Sequence, residues 1–170
     1  MKSNILYLCF IFGFVACTTP FQSFGEFSRD QLENSNHNGW FVENYNAHPL
    51  NKALVSQIDS LFNDIEVTIY MGTWCEDSQR EVPGMLKILD ALGMKNSDIV
   101  MYATDEDKKT PDQYELGLNI TNIPTLIFYK GEEELNRIVE LPVETLYKDF
   151  AAILTNKPYQ HAYFIEVETP

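Results

Sequence analysis

The residues best suited to chemistry in this chain form one short segment, Trp-Cys-Glu-Asp-Ser at positions 74–78. A β-branched stretch at 65–71 precedes the segment, and apolar residues at helical spacing follow it as far as Gly93. These patterns predict a strand, then a helix that begins near Cys75. Free backbone N–H groups and the positive end of the helix dipole favour the thiolate, the nucleophilic form of cysteine, at that position. The spacing therefore predicts a reactive thiol at Cys75; the alternative is a buried, inert side chain.

The N-terminal segment of the chain has the pattern of a targeting sequence. Lys2 precedes an apolar run, 5–15, that ends in Ala16-Cys17. A helix of about 11 residues, rising about 1.5 Å per residue, cannot cross a hydrocarbon core about 30 Å thick. We therefore predict a signal peptide at 1–16 that is removed from the mature protein.

Residues 14–17 resemble a bacterial lipobox, in which small residues precede a Cys that is lipidated and becomes the mature N-terminus. Phe14 departs from that pattern, so ordinary cleavage is the alternative. Lipidation at Cys17 predicts a protein of the bacterial cell envelope that is lipid-anchored in the membrane and faces the periplasm.

The cysteine count changes after this processing. The chain has three Cys, of which Cys9 leaves with the signal peptide and Cys17 carries the lipid. Cys75 is then the one free thiol of the mature chain, and it has no partner for an intramolecular disulfide. Lone thiols in an oxidising compartment tend to pair between molecules or to react.

Length and composition restrict the class of protein. A chain of 170 residues is expected to form one domain, and 45% hydrophobic residues exclude an intrinsically disordered acidic chain. Asp and Glu number 25 against 12 Lys and Arg, for a formal net charge of −13. Nucleic acid is therefore excluded as a partner, because attraction to phosphate requires surplus positive charge.

The remaining pattern predicts the elements that must position Cys75. Residues 17–39 show no periodicity and are predicted to form the lipid-attached tether. The domain is predicted to span 40–155, and an aromatic C-terminal tail, 156–170, is expected to dock on it. The predicted elements are a short strand at 40–45, a helix at 49–63, strands at 65–71 and 99–103, a helix from Cys75 to Gly93, a hairpin of 123–129 with 135–141, and a helix at 143–154. This alternation of strands and helices predicts an α/β fold with a mixed sheet.

The motifs on these elements resemble those of the thioredoxin superfamily. Segment 74–78 is similar to its Trp-Cys-x-x-Cys motif, with Ser in place of the second Cys. Pro83 matches the proline of the active-site helix, Ile123-Pro124-Thr125 the cis-proline segment, and Lys130-Gly131 the turn that follows. The resemblance covers about 64–155 and implies a thioredoxin-like three-layer sandwich, in which helices flank a mixed central sheet.

The resemblance also implies roles for individual residues. Cys75 and Ser78 occupy the catalytic positions. In relatives, the backbone of the residue before the cis-proline pairs with an extended substrate, a form of strand addition. Trp74, Ile123 and Pro124 are therefore the expected substrate-binding residues. Without the resemblance, Trp74 is equally consistent with core packing and Pro124 with an ordinary trans turn.

Two departures from the family pattern alter the expected chemistry. Ser78 cannot resolve a mixed disulfide, so dithiol catalysis is excluded. Ile69 stands where many thioredoxins bury an Asp that assists the second thiol. Ser78 is placed to donate a hydrogen bond to the Cys75 thiolate, whereas the carboxylates of Glu76 and Asp77 act against that anion.

Two functions are consistent with this pattern. The first is extracytoplasmic thiol–disulfide exchange through Cys75, which serves cell redox homeostasis by forming mixed disulfides with client proteins that an external thiol reductant resolves. The second is a non-catalytic thioredoxin-fold module that binds peptides or proteins. We expect no cofactor and no metal site, because His37, His48 and His161 lie in separate segments without ligands at metal spacing.

Overall fold

The computed structural model describes residues 24–34 and 38–165, and within them a single five-stranded mixed sheet. The strands are β1 (Gly25–Phe27), β2 (Glu66–Met71), β3 (Ile99–Ala103), β4 (Thr125–Lys130) and β5 (Glu133–Val139). The helices are α1 (Arg29–Asn34), α2 (Asn38–Ala47), α3 (Lys52–Ile58), α4 (Glu76–Ala91) and α5 (Leu146–Leu154), with short 3-10 turns at Asp59–Leu61 and Asn96–Asp98. The predicted signal peptide and its lipidation site, Cys17, lie outside the described residues.

The sheet has the strand order β1-β3-β2-β4-β5, in which β2 and β3 run parallel and every other pair is antiparallel. Met71 lies opposite Ala103, Tyr70 opposite Thr125, and Thr125 opposite Val139. The ends of β2, β3 and β5 and the start of β4 therefore meet at one edge, which we call the upper edge. The mixed α/β fold predicted from the sequence is confirmed.

One face of the sheet carries the main hydrophobic core. Alternate residues of the strands point to this face, as the period of two in a strand requires. The strand residues in this core are Val67, Ile69, Met71, Met101, Ala103, Leu126, Phe128 and Ile138. All five helices contribute, through Leu32, Phe41, Val55, Ile58, Val82, Met85, Leu86, Ile88, Leu89, Leu146, Phe150 and Ile153. The helical layer thus packs on this face.

The opposite face of the sheet is covered by residues 104–122, which contain no helix or strand and which we call the cover segment. Leu118 and Ile120 of the cover segment pack on a smaller buried cluster that contains Tyr70. The Tyr70 hydroxyl donates a hydrogen bond to the carbonyl of Tyr114 at 2.6 Å. The third layer of the sandwich is therefore irregular chain on this side.

A buried carboxylate organises the cover segment. The Thr110 backbone N–H and hydroxyl both donate to Glu115, at 3.0 and 2.6 Å, and the Glu115 side chain is 6% exposed. Burial alone would raise the pKa of Glu115, but these hydrogen bonds, together with Lys109, lower it below its usual value.

Residues 40–45, predicted to be a strand, lie instead within helix α2. Phe41 and Tyr45 are stacked at 5.8 Å, as neighbours one helical turn apart can be, and Phe41 is buried. Aromatic residues favour strands in isolation, and here their packing in the helical layer decides the conformation. The strand prediction was wrong for this reason.

The described part of the predicted tether, 24–34 and 38–39, also forms regular structure. It contains β1, which pairs with β3, and α1, which packs on α2. Arg29 of α1 forms a bidentate pair with Asp90 of α4, and the Tyr45 hydroxyl donates to the same carboxylate at 2.5 Å. Burial would raise the pKa of Asp90, but these hydrogen bonds hold it below its usual value. Elements of three and six residues are too short to show periodicity, so the sequence did not predict them.

Helix α4 carries a proline in its interior. Pro83 has no N–H, so the carbonyl of Gln79 lacks its helical partner. The side-chain amide of Asn44 in α2 donates to that carbonyl at 3.0 Å. Gly93, with a φ of 72°, then provides the left-handed residue that follows the helix end. α4 is thus tied to α2 at the point where its own hydrogen bonding is interrupted.

No helix among the described residues has the length and apolar character needed to cross a membrane.

Candidate functional site

Cys75 lies at the upper edge of the sheet, in the turn between β2 and α4. It is the residue that caps α4, in an extended conformation with φ −85° and ψ 123°. Its N–H donates to the Gly72 carbonyl at 3.0 Å, and its own carbonyl accepts from the Gln79 N–H at 2.9 Å. The Gln79 side chain donates to the Thr73 carbonyl at 2.7 Å, which closes the turn from the other side. The turn holds Cys75 at the start of the helix, as predicted.

The thiol faces the start of β4. Its Sγ lies 3.7 Å from the carbonyl oxygen of Ile123, and the peptide bond between Ile123 and Pro124 is cis. Cys75 is partly exposed, whereas the Ile123 side chain is buried. The structure therefore brings Cys75 together with Ile123, 48 residues later in the sequence, and with the adjacent Pro124.

Trp74 forms the wall of the site on the β3 side. Its indole is 47% exposed, and Nε1 donates to the Thr104 carbonyl, directly after β3, at 3.0 Å. The ring lies against Gly72: a Cβ at that position would be 2.7 Å from Trp74 Cε2 and 3.0 Å from Ile123 Cδ1. Such distances are below van der Waals contact, so Gly72 is required for this close approach. Trp74 is held in place with its other surface open to solvent.

Ser78 lies on the inner side of the first turn of α4. Its side chain is fully buried, and its hydroxyl accepts a hydrogen bond from the Gly72 N–H at 3.2 Å. No hydrogen bond joins Ser78 to Cys75 among the described residues. The hydroxyl thus ties the end of β2 to α4, and the role of Ser78 at the thiol stays a prediction.

The charged groups on the first turns of α4 are paired with one another. Arg80 contacts Asp77 at 2.5 Å and Glu81 at 2.8 Å. Hydrogen bonds from Arg80 to Glu81 and then to Asp77 raise the pKa of the guanidinium above its ordinary value. Glu76 is exposed beside them. The Arg80 charge is therefore compensated locally, and the surface around Cys75 is acidic.

Glu140 connects the end of β5 to the cis-proline segment. Its N–H donates to the Pro124 carbonyl at 2.7 Å, and its carboxylate accepts from the Asn122 amide at 2.6 Å. Interaction with that carboxylate, followed by burial, raises the pKa of the Tyr163 hydroxyl. Glu140 has a φ of 61°, in the left-handed region. Glu140 falls within the predicted strand 135–141 but follows the end of β5, and nothing in its local sequence indicates these long-range partners.

The described part of the C-terminal tail, 156–165, packs beside β5. The Tyr159 hydroxyl donates to buried Asp149 at 2.9 Å, and its carbonyl accepts from the Asn136 amide at 3.1 Å. A cavity of about 660 Å³ lies between the tail, β5 and the cover segment. Tyr163 and Phe164 line this cavity on the tail side.

The histidines among the described residues lie apart from Cys75. His48 stacks on Tyr147 at 6.0 Å and packs against Gly84, and His161 contacts Phe164 edge-on at 6.0 Å. Burial, followed by the charge of Lys87, lowers the pKa of His48. Within the described ranges, no group of three or more His, Cys, Asp or Glu could hold a metal ion.

A sequence model of a family described as thioredoxin matches residues 22–148 of the chain. The chain belongs to this thioredoxin family. The match begins before β1, in agreement with the early strand and helix that the structure places in the sheet and on α2. The resemblance found from the motifs around Cys75 and Pro124 is thus confirmed.

Solved structures with the thioredoxin-like architecture of this chain include a Pseudomonas aeruginosa protein of unknown function. It has 16% sequence identity and a TM-score of 0.53, over 78% of this chain and 87% of that chain. An HIV epitope-scaffold shares 17% identity with a TM-score of 0.48, over 71% of this chain and 75% of the scaffold. No curated protein matches the chain. The Pseudomonas aeruginosa structure therefore supports the fold alone and carries no activity over to this chain.

Proposed function

We propose that this thioredoxin-family protein performs thiol–disulfide exchange through one nucleophile, Cys75, at the surface of a bacterial membrane. One observation carries the proposal: the Cys75 thiol lies 3.7 Å from the Ile123 carbonyl, which directly precedes the cis bond to Pro124. A thiol in that position faces the stretch of backbone that precedes Pro124, to which an extended client segment can add as a strand. Trp74 and Ile123 border this stretch.

The first chemical step uses the client disulfide as the electrophile. Cys75 loses its proton to solvent, and the thiolate attacks one sulfur of the client disulfide. A bond forms between Cys75 and that sulfur, the client S–S bond breaks, and the second client sulfur leaves as a thiolate. The product is a mixed disulfide between the protein and its client.

The second step requires a thiol from outside the domain. Ser78 occupies the resolving position, and a hydroxyl cannot take part in disulfide exchange. One external thiol attacks the Cys75 sulfur and releases the client as a dithiol. A second external thiol then attacks the new mixed disulfide, which frees Cys75 and leaves the reductant oxidised. The client gains two electrons in this sequence.

The proposed location is the periplasmic side of a bacterial membrane. The apolar N-terminal run and the lipobox-like segment ending at Cys17 support a signal peptide and a lipid anchor. Clients in this setting are extracytoplasmic proteins with thiols or disulfides.

A second candidate is a module that binds clients without exchange. Two contacts favour this binding module: the Cys75 thiol contacts the Ile123 carbonyl, and the Ser78 hydroxyl accepts a hydrogen bond from the Gly72 N–H. In that case the groove beside Pro124 holds partners, and Cys75 contributes packing alone.

The decisive experiment compares Cys75→Ala, Ser78→Cys and the wild type with a protein disulfide as substrate. We expect the wild type to accumulate mixed disulfides with little turnover, and Cys75→Ala to form none. Ser78→Cys places a second thiol one helical turn from Cys75 and should give measurable dithiol turnover. Ser56→Cys, on the exposed face of α3, is the matched control for a second thiol remote from the site.

Two outcomes would contradict the exchange mechanism. Robust turnover by the wild type without added thiol would show that Cys75 does not depend on an external resolving group. Client binding that survives Cys75→Ala unchanged would favour the binding module.

A further inference from the structure

Exposed apolar side chains are concentrated on one side of the site, at the end of β5. They come from the connection between β5 and α5 and from the C-terminal tail. The five side chains, which we call the β5-side patch, are Leu141, Val143, Tyr163, Phe164 and Ile165, and between 37% and 82% of each residue is exposed. Tyr163, Phe164 and Ile165 line one cavity together with Val139 at the end of β5, and clustered apolar side chains mark interaction sites, whereas single scattered ones do not.

The strand order places this patch beside Cys75. Along the upper edge, Thr104 follows β3, Cys75 follows β2, Pro124 precedes β4 and Glu140 follows β5. Trp74 lies at the β3 end of this row through its bond to Thr104. Tyr163 lies at the β5 end, where it lines a cavity together with Asn122 and Val139. The patch therefore lies beside the cis-proline segment, at the same edge of the sheet as Cys75.

The tail residues of the patch are held by contacts outside it. Tyr159 lies four residues before Tyr163. Its hydroxyl donates to Asp149 of α5, and its carbonyl accepts from the Asn136 amide of β5. The Glu140 carboxylate beside the patch accepts from the Asn122 amide at 2.6 Å. These bonds hold the chain on either side of the patch, and a backbone that is already ordered lowers the entropy cost of binding a partner.

The charges around the patch are negative. Glu140 lies inside the row, and Glu76 and Asp77 flank Cys75. The neighbouring cations are already paired: Arg80 with Asp77, Lys148 with Glu144 at 2.5 Å, and Arg137, which lines the cavity beside Tyr163, with Glu134 at 2.5 Å. Interaction with Glu140, then burial, then the charges of Glu140 and Asp77 raise the pKa of Tyr163.

We propose that the β5-side patch docks the clients of Cys75 and selects extended segments that carry both apolar side chains and Lys or Arg near their own Cys. This inference rests on the proposed function and names its substrate class. Apolar side chains of the client cover the patch, and its cations approach Glu140 and Asp77. Complementary charge of this kind raises association rates, and salt reduces the effect.

Four synthetic peptides test the proposal. Each contains one Cys bound as a disulfide to 2-nitro-5-thiobenzoate, and the flanking residues are Lys or Glu combined with apolar or Ser residues. Attack by Cys75 on the peptide sulfur forms the mixed disulfide and expels the coloured thiolate, so the release rate reports docking. We expect the Lys-apolar peptide to react about tenfold faster than the Glu-Ser peptide at low salt, and this difference to shrink as salt increases.

Two variants separate the contribution of charge from the contribution of apolar contact. Glu140→Gln should reduce the preference for Lys over Glu peptides, and Tyr163→Ala should reduce the preference for apolar over Ser peptides. The matched controls lie away from the upper edge. Glu132→Gln removes an exposed charge in the β4–β5 turn, and Leu61→Ala an exposed apolar side chain before β2. Both controls should keep both preferences.

Failure of docking and failure of the exchange function give different results. Equal rates for all four peptides would overturn the docking proposal while exchange through Cys75 stands. Faster reaction of every peptide with Tyr163→Ala would also overturn it, because the tail would then cover the site. No reaction with any peptide, while iodoacetamide still alkylates Cys75, would overturn the proposed exchange function itself.

Discussion

Substitution of Gly72 by Ala tests whether the position of Trp74 depends on the absence of a side chain at the end of β2. The added Cβ would lie 2.7 Å from Trp74 Cε2, 2.9 Å from its Nε1 and 3.0 Å from Ile123 Cδ1. Carbon atoms in contact are normally about 3.5–4.0 Å apart, so the indole must move by roughly 1 Å or more. Movement of the ring breaks its hydrogen bond to Thr104.

The expected loss of stability combines two effects. Overpacking costs about 1–3 kcal/mol, and loss of a neutral hydrogen bond about 1 kcal/mol. The Trp74 side chain is half exposed and can relieve part of the clash by swinging outward. We therefore expect Gly72→Ala to lower the free energy of unfolding by about 2 kcal/mol, close to a 4–8 °C fall in Tm for a domain of this size.

The assay combines urea unfolding with iodide quenching of Trp74 fluorescence. The chain has two Trp, so both proteins carry Trp40→Phe, which isolates the signal of Trp74. Quenching should increase in Gly72→Ala, because the indole moves away from residue 72 and becomes more exposed to iodide. Gly39→Ala is the matched control, since nothing lies within 4 Å of its added Cβ and the site is helical. It should stabilise the protein by about 0.4–1 kcal/mol.

Unchanged stability and unchanged quenching in Gly72→Ala would refute the close approach of Trp74 to the backbone. Equal destabilisation by Gly39→Ala would show that the loss reflects a general intolerance of Ala for Gly in this chain.

Three further outcomes are expected. Asp90→Asn should lower the free energy of unfolding, measured in urea, by about 2 kcal/mol, because Arg29 and Tyr45 lose a charged acceptor. Wild-type stability of this variant would contradict the importance of that contact. The lowered pKa of His48 means that the unfolded chain, with an ordinary value of about 6.5, binds protons more readily. Stability should therefore fall as pH drops below about 6.5, and His48→Gln should flatten this part of the profile; an identical slope would exclude His48 as its source. Cys17→Ser should abolish lipid labelling, and a variant that stays in the membrane fraction at unchanged mass would disprove the anchor.

The sequence predicted the centre of the site because its signals are local. The β-branched strand, the Cys at the helix start and the Ile-Pro-Thr segment each occupy a few consecutive residues. The resemblance to the thioredoxin family predicted that these segments meet in space, which their spacing along the chain could not predict. The structure places Cys75 against Ile123 as that resemblance implied.

The parts that the sequence did not predict depend on distant partners. Helix α2 forms because Phe41 and Tyr45 pack in the helical layer and Asn44 meets the free carbonyl in α4. The hydrogen bond from Asn122 to Glu140 joins residues 18 positions apart without any recognisable motif. The hydrogen bond that the Ser78 hydroxyl accepts from the Gly72 N–H was not predicted either, because residue type alone does not determine which neighbour a hydroxyl contacts. The role of Ser78 at the Cys75 thiolate stays a prediction.

The irregular third layer implies an uneven distribution of protection against local unfolding. The helical face is covered by five helices, whereas the cover segment is attached by isolated hydrogen bonds such as those from Arg137 to the Leu118 carbonyl and from Tyr70 to the Tyr114 carbonyl. Segments with few regular backbone hydrogen bonds open at lower free energy than the core strands. Amide protons of the cover segment should exchange earlier than those of β2 and β4. Each local unfolding of the cover segment exposes the Tyr70 cluster, against which Cys75 packs. The thiol therefore lies on the side of the molecule that unfolds locally at the lowest free energy.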